Sequence, residues 1–231
     1  EILPLEEAVD QSDLIVVAIP VNALEQVVLP VLDRVRHQVV MDVGSTKQGI
    51  CELVSRHPMH RRFVATHPMW GTEYSGPEAA VSGAFANKAV VICSKEESHP
   101  GALEMVENLY RGVGMHLLYM DPVAHDIHAA YISHISHITS FALANTVLEK
   151  EREDQAIFDL ASAGFESTVR LAKSSPEMWV PIFMQNRENV LDVLNEHITQ
   201  LRKFKSCLEK ENYAYLLELI ENANKIKRII K

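Results

Sequence analysis

The sequence predicts an α/β domain built on a doubly wound parallel sheet, followed by an all-helical domain. Three observations predict it. Short apolar runs rich in β-branched residues alternate with helical patterns over the first 120 residues, the signature of strands covered on both faces. At Met120-Asp121-Pro122 the texture changes and no strand pattern follows. Between the two halves of the strand pattern, Thr66 to Pro77 carries the Gly and Pro punctuation of a long loop. That loop follows a strand, at the end where open parallel sheets bind ligands.

In chain order, Leu5 to Gln11 reads as a short helix and Leu14 to Ile19 as a buried strand ended by Pro20. Asn22 is the expected cap of the next helix, with Glu25 as its capping-box partner and Leu24, Val27, Val28, Val31, Leu32 and Val35 at helical spacing. Val39 to Asp42 is the second strand, Gly44-Ser45-Thr46-Lys47 a turn into a helix, and Phe63 to Ala65 the third strand. Ala89 to Ile92, a helix over Gly101 to Tyr110, and a strand over Met115 to Leu118 complete a first domain of residues 1–120. Residues 121–231 form the second. Asp121 caps a helix with Pro122 at its first position, and one long helix runs from Val123 to about Glu149. Further helices are expected over Gln155 to Ala161, Glu166 to Lys173, Pro176 to Met184, Arg187 to Leu208 and Glu211 to Lys231. Several long amphipathic faces with no evident partner imply a homodimer through this helical domain.

Composition excludes several function classes. The chain has 231 residues, 47% hydrophobic and 23% charged, which suits a soluble globular protein. A net charge of -9 argues against nucleic acid, and the basic tail from Lys225 to Lys231 is accounted for by a helix dipole. The longest apolar run, Leu14 to Leu24, is broken by Pro20 and Asn22 and is too short for a bilayer. Cys51, Cys93 and Cys207 are odd in number and lack metal spacing, as expected of free thiols in a cytoplasmic protein. No Gly-rich dinucleotide fingerprint joins a first strand to a first helix, and Glu1-Ile2-Leu3-Pro4 opens abruptly within an α/β pattern. The expectation is that a leading βαβ unit precedes these residues.

His67, placed just beyond a strand end with Thr72, Glu73 and Tyr74, is the candidate chemical centre. The long helix adds His125, His128, His134 and His137. At about 100° per residue the two H-x-x-H pairs point roughly 180° apart, so one straight helix cannot bring all four to one ion, and no metal is expected. One pair is expected to face the cleft and the other to pack or be solvated; a two-His metal site completed from elsewhere stays open. Ser133 and His137 share a helix face, and Arg170 offers a planar fork suited to a carboxylate. Together they imply a small-molecule substrate with two carboxylates.

Five stretches taken together resemble the prephenate and arogenate dehydrogenases of tyrosine biosynthesis. They are Ala18-Ile19-Pro20-Val21, Asp42 to Lys47, His67 to Glu73, His125-Asp126 with Ser133 to His137, and Thr168 to Ala172 with Ser174 to Trp179. The resemblance implies a Rossmann-like first domain and an NAD-dependent oxidative decarboxylation, with NADP not excluded. It implies that His67 is the catalytic base, that Ser45 orients it beside the nicotinamide, that Arg170 holds the ring carboxylate, and that Ser133 and His137 hold the side-chain end. It also implies that Gly71, Thr72, Glu73, His134 and Trp179 line the substrate site, and that Ala18, Ile19, Pro20, Gly44 and Ser45 line the coenzyme site. Glu73 is expected to pair with Arg170 when no substrate is bound. The chain departs from the family at Trp70, where a small residue is common, at Ser136, where Pro is common, and at Ser167, where many relatives have Asp. Ser136 is expected to leave the helix straighter and Trp70 to narrow the pocket.

Prephenate is the favoured substrate and arogenate the alternative. A coenzyme-free binding or dimerisation module is the reading from a different class, and a β-hydroxyacid dehydrogenase is a third, although such an enzyme is expected to use a Lys where this chain has His and Ser.

Overall fold

What connects two neighbouring strands decides their relative direction, and the five strands here are joined in two different ways. The structure is a computed structural model, which describes residues 2–74, 76–152 and 156–230. Its first half contains β1 (Leu14–Val17), β2 (Val39–Asp42), β3 (Phe63–Pro68), β4 (Ala89–Cys93) and β5 (His116–Met120), in that order across one five-stranded sheet. Helices α1 (Leu5–Asp10), α2 (Val21–Arg34), α3 (Gln48–Val54) and α4 (Pro100–Gly112) accompany them. β1, β2 and β3 are parallel, as are β4 and β5, and each of these pairs has a helix between its strands. β3 and β4 are antiparallel, Ala65 opposite Cys93 and Pro68 opposite Val90. The wholly parallel sheet expected from the sequence is therefore mostly parallel. The described residues between 69 and 88 contain only a 3₁₀ turn, Pro77–Ala79, and no crossover helix, so the chain comes back beside β3 in the opposite sense.

Alternation along the strands gives the sheet two apolar faces. Val17, Val40, Ala65 and Val91 pack with α1, α2 and α3, whereas Val39, Met41, Val64, Val90 and Ile92 pack with Ala102, Val106 and Tyr110 of α4. Val28, Val40, Val64 and Val90 are fully buried, each stabilising the fold by about 1.5–3 kcal/mol over exposure.

The second half is helical: α5 (Pro122–Ala129), a π turn (Ala130–His134), α6 (Ile135–Glu151), α7 (Ala163–Val169), a 3₁₀ turn (Arg170–Lys173), α8 (Pro176–Gln185), α9 (Arg187–Glu209) and α10 (Tyr213–Asn224). Asp121 caps α5 as expected, its Oδ1 accepting from the Val123 and Ala124 N–H groups. Trp179 and Ile182 of α8 complete the apolar cluster around α2, which joins the two halves.

Four local expectations are corrected. Helix α2 starts at Val21, so Asn22 lies inside it and its side chain makes no cap; Pro20 already supplies the extended residue before the helix. Strand β3 continues through His67 and Pro68, which the Gly and Pro content had assigned to the loop, because β4 supplies ladder partners to that length. Helix α6 follows directly on the π turn, so Ser136 does not leave a uniform helix; its hydroxyl donates to the Ile132 carbonyl at 3.0 Å. Residues 158–160 form only a 3₁₀ turn, and residue 155, the expected start of that helix, lies outside the described residues. Among the described residues no helix is long and apolar enough to cross a membrane.

Candidate active site

His67 stands near the end of β3, and the strand is anchored there through its inward neighbour. Thr66 is fully buried; its N–H donates to Asp42 Oδ1 at 3.2 Å and its hydroxyl to the Asp42 carbonyl, while Tyr110 OH lies 2.6 Å away. The other Asp42 oxygen accepts from the Gly44 N–H at 2.9 Å and is paired with the Lys47 ammonium. A buried ion pair thus holds the β2–α3 turn against β3. A Cβ on Gly44 would lie 2.6 Å from Leu24 Cδ1 and 3.0 Å from Asp42 Oδ2, so a side chain at that position would force the buried Leu24 to shift.

The imidazole of His67 is held from the other half of the molecule. Its Nδ1 lies 2.9 Å from Nε2 of His125, and His125 Nδ1 lies 2.7 Å from Asp126 Oδ1. Asp126 also accepts the Lys47 N–H at 2.8 Å and the Gln48 N–H at 3.0 Å, the open donors at the start of α3. Asn186, between α8 and α9, donates to the Asp126 carbonyl at 2.7 Å and lies 3.2 Å from Nδ1 of buried His134. Burial, then the neighbouring His125, Lys47 and His134, hold the His67 imidazole well below its ordinary pKa of 6.5. Burial lowers His134 to about 4 against the opposing pull of Asp126. His137 is also lowered by burial, while its bond to the Ser133 carbonyl opposes the shift.

The π turn explains how histidines from both H-x-x-H pairs reach this region. On a uniform helix the nine residues from His125 to His134 amount to roughly 180°; a π turn absorbs about one extra residue, which cuts the angle to roughly 80°. His125 and His134 are both buried beside the site, and His128 is exposed. As expected, one pair, His134 and His137, faces the cleft, while of the other pair His128 is exposed and His125 is packed against His67. Among the described residues no group of three or more His, Cys, Asp or Glu is arranged to hold a metal ion.

A cavity of about 390 Å³ opens beside His67. Of the residues expected around a substrate, Ser45, Gly71, Thr72, Ser133, His134, His137, Arg170 and Trp179 line it with His67. Glu73 does not line it, but its Oε2 lies 2.9 Å from Arg170 Nη1. Trp70 lines it too, and packs edge-on against Phe85 with ring centroids 5.6 Å apart. His137 stacks on Trp179 at 3.4 Å between centroids, and the Trp179 indole N–H is buried with no partner among the described residues.

A second cavity, of about 520 Å³, lies at the carboxyl ends of β1 and β2, lined by Ala18, Ile19, Pro20, Val21, Val43, Gly44 and Ser45. Ser45, Met178 and Ile182 line both cavities, so the two adjoin. Sequence reasoning missed Met178, Asn186 and the roles of His125 and Asp126. The adjacency of His125 to Asp126 was the available signal, but their partners are 58 and 79 residues away.

The family model described as "Prephenate dehydrogenase, nucleotide-binding domain" matches residues 4–119, and "Prephenate dehydrogenase, dimerization domain" matches residues 121–222. The chain belongs to the prephenate dehydrogenase family. It is 29% identical over 222 residues to a prephenate dehydrogenase of Bacillus subtilis, covering 93% of this chain and 59% of that protein. It is 26% identical to a cyclohexadienyl dehydrogenase of Zymomonas mobilis, over 98% of this chain and 78% of the relative. A crystal structure of prephenate dehydrogenase from Aquifex aeolicus, in complex with hydroxyphenyl propionate and NAD+, superposes with a TM-score of 0.87 at 28% identity, covering 98% of this chain and 79% of that one. The chain spans less than two thirds of the Bacillus relative's length.

Proposed function

We propose that this protein catalyses the NAD-dependent oxidative decarboxylation of prephenate to 4-hydroxyphenylpyruvate, as a homodimeric cytoplasmic enzyme whose domains divide near residue 120. The observation that carries the reading is a half-buried His67 lining a cavity that contains Arg170 and that adjoins, through Ser45, Met178 and Ile182, a second cavity at the carboxyl ends of β1 and β2. In that second cavity the apolar Ala18, Ile19, Pro20 and Val21 beside the Ser45 hydroxyl, which also borders the first cavity, fit a flat nicotinamide ring.

Bound NAD supplies the hydride acceptor. His67, kept neutral by burial, has Nδ1 engaged by His125 and Nε2 left to take the proton of the substrate's ring hydroxyl. Arg170 holds the ring carboxylate that leaves as the ring becomes aromatic, and Ser133, His137 and Trp179 hold the side-chain end. Such positioning lowers the barrier by several kcal/mol, up to about 7–11 for well-oriented groups. The exposed apolar residues of the last two helices, among them Leu201, Leu208, Leu217 and Ile220, support a second copy as their cover.

The test is formation of reduced nicotinamide by the full-length protein with prephenate and with arogenate, each with NAD and NADP, beside His67→Asn. Turnover that the variant lowers by about a hundredfold or more supports the reading and identifies substrate and coenzyme. Absence of turnover with either substrate overturns it, and leaves the coenzyme-free binding module.

A further inference from the structure

We infer that His125 and Asp126 are positioning residues for His67, fixing its ring with the proton on Nδ1 and the lone pair on Nε2. The inference rests on His67 acting as the base, and it adds a pair of residues 58 and 59 positions further along the chain.

The argument starts from the backbone. Asp126 is 4% exposed, and its carboxylate receives two main-chain N–H groups, from Lys47 and Gln48, at 2.8 and 3.0 Å. An ionised carboxylate only accepts, so its third partner, His125 Nδ1 at 2.7 Å, is the N–H. A neutral imidazole has one donor and one acceptor, and His125 Nε2 is therefore the acceptor. It lies 2.9 Å from His67 Nδ1, which consequently carries the hydrogen. The N–H groups of Lys47, the residue before α3, and of Gln48, its first residue, thus decide, through Asp126 and His125, which nitrogen of His67 is basic.

The same chain gives the abstracted proton a second station. When His67 Nε2 gains a proton, the Nδ1 proton passes to His125 Nε2, so one proton enters the ring as one leaves it. The positive charge then rests against the Asp126 carboxylate, 2.7 Å from His125 Nδ1, instead of in the desolvated pocket. The other charged or titratable groups around the pair include Lys47, whose ammonium is paired with Asp42, His134 of the π turn, and the thiols of Cys51 and Cys93.

Nitrogen-15 NMR of the histidine rings in the ligand-free, full-length protein reads the tautomer without any turnover. The wild type is expected to show His67 with its proton on Nδ1. His125→Leu is expected to populate the Nε2–H form and to lower kcat by about tenfold or more, with KM changed less than about twofold. His125→Gln places an amide oxygen where Nε2 stood; it is expected to restore the Nδ1–H form yet leave kcat below wild type and the acid limb of the pH profile displaced. A wild-type His67 protonated on Nε2, or a Leu variant with unaltered kcat and pH profile, overturns the inference. Should the Leu variant fail to fold, the wild-type and Gln spectra still decide it. If the wild type turns over neither substrate, the functional reading falls, and the tautomer measurement stands on its own.

Discussion

Glu73 and Arg170 are 97 residues apart in sequence, and the carboxylate of one lies 2.9 Å from the guanidinium of the other. The pair ties the loop after β3 to the helical half, and it engages the cation expected to meet a substrate carboxylate. Its own backbone N–H, and then the Arg170 guanidinium, hold the Glu73 carboxyl below its usual range against the opposing effect of desolvation. The pair is therefore intact at neutral pH and competes with substrate. Glu73→Gln should lower KM by about two- to fivefold, the scale of an exposed ion pair, and added salt should shrink the difference. A KM equal to wild type at low salt would show that Glu73 has no gating role.

Three histidines in and beside the cavity, His67, His134 and His137, are held below the ordinary value, each chiefly by burial. Between the folded and the unfolded pKa the unfolded chain binds more protons, so stability rises with pH through that window. It is complete above about 6.5 and is lost as pH falls. For His134 the window closes at about 4, and the loss is on the order of 3 kcal/mol below it. Denaturation midpoints measured from pH 7 to 4 should fall more steeply for wild type than for His134→Gln. Equal slopes would mean that His134 is solvated and does not contribute.

How much of this was legible in the sequence depends on the range of the interaction. The strands and the Asp121 cap were readable because apolar periodicity and capping signals are local, and the short motifs behind the family resemblance pointed to some of the residues lining the cavities but not to Met178 or Ile182. The antiparallel turn-back at β4 was not, since it depends on the absence of a crossover helix in a stretch whose apolar residues have no period. The approach of His125 to the side of the helix that carries His134 was not legible for a different reason: a π turn changes the phase of a helix, and nothing in Ala130-Tyr131-Ile132-Ser133-His134 marks it. The role of Asp126 was not legible because its partners are main-chain donors at the start of another helix.

Asp42 and Lys47 are both fully buried and paired with each other. Removing one partner leaves an uncompensated charge, so Lys47→Met should cost about 3–5 kcal/mol by chemical denaturation. The effect should also reach the site, since Lys47 starts the helix that Asp126 caps. A loss under about 1 kcal/mol, the scale of a surface pair, would mean that water reaches Asp42.

Trp179 makes binding and stability separable. Its ring is 7% exposed and stacks on His137, while its indole N–H finds no acceptor among the described residues. A buried donor left unpaired costs about 1–3 kcal/mol, which is tolerable where a ligand supplies the acceptor. Trp179→Phe keeps an aromatic surface for the stack and removes the donor. The relief of that cost offsets the lost apolar area, so Tm should stay within a few degrees of wild type. KM should rise by about tenfold or more if the N–H donates to a charged group of the substrate. Titration of the inactive His67→Asn protein, with and without Trp179→Phe, measures the same effect as a dissociation constant free of chemistry. Equal dissociation constants would make Trp179 a core residue that lines the cavity without serving it.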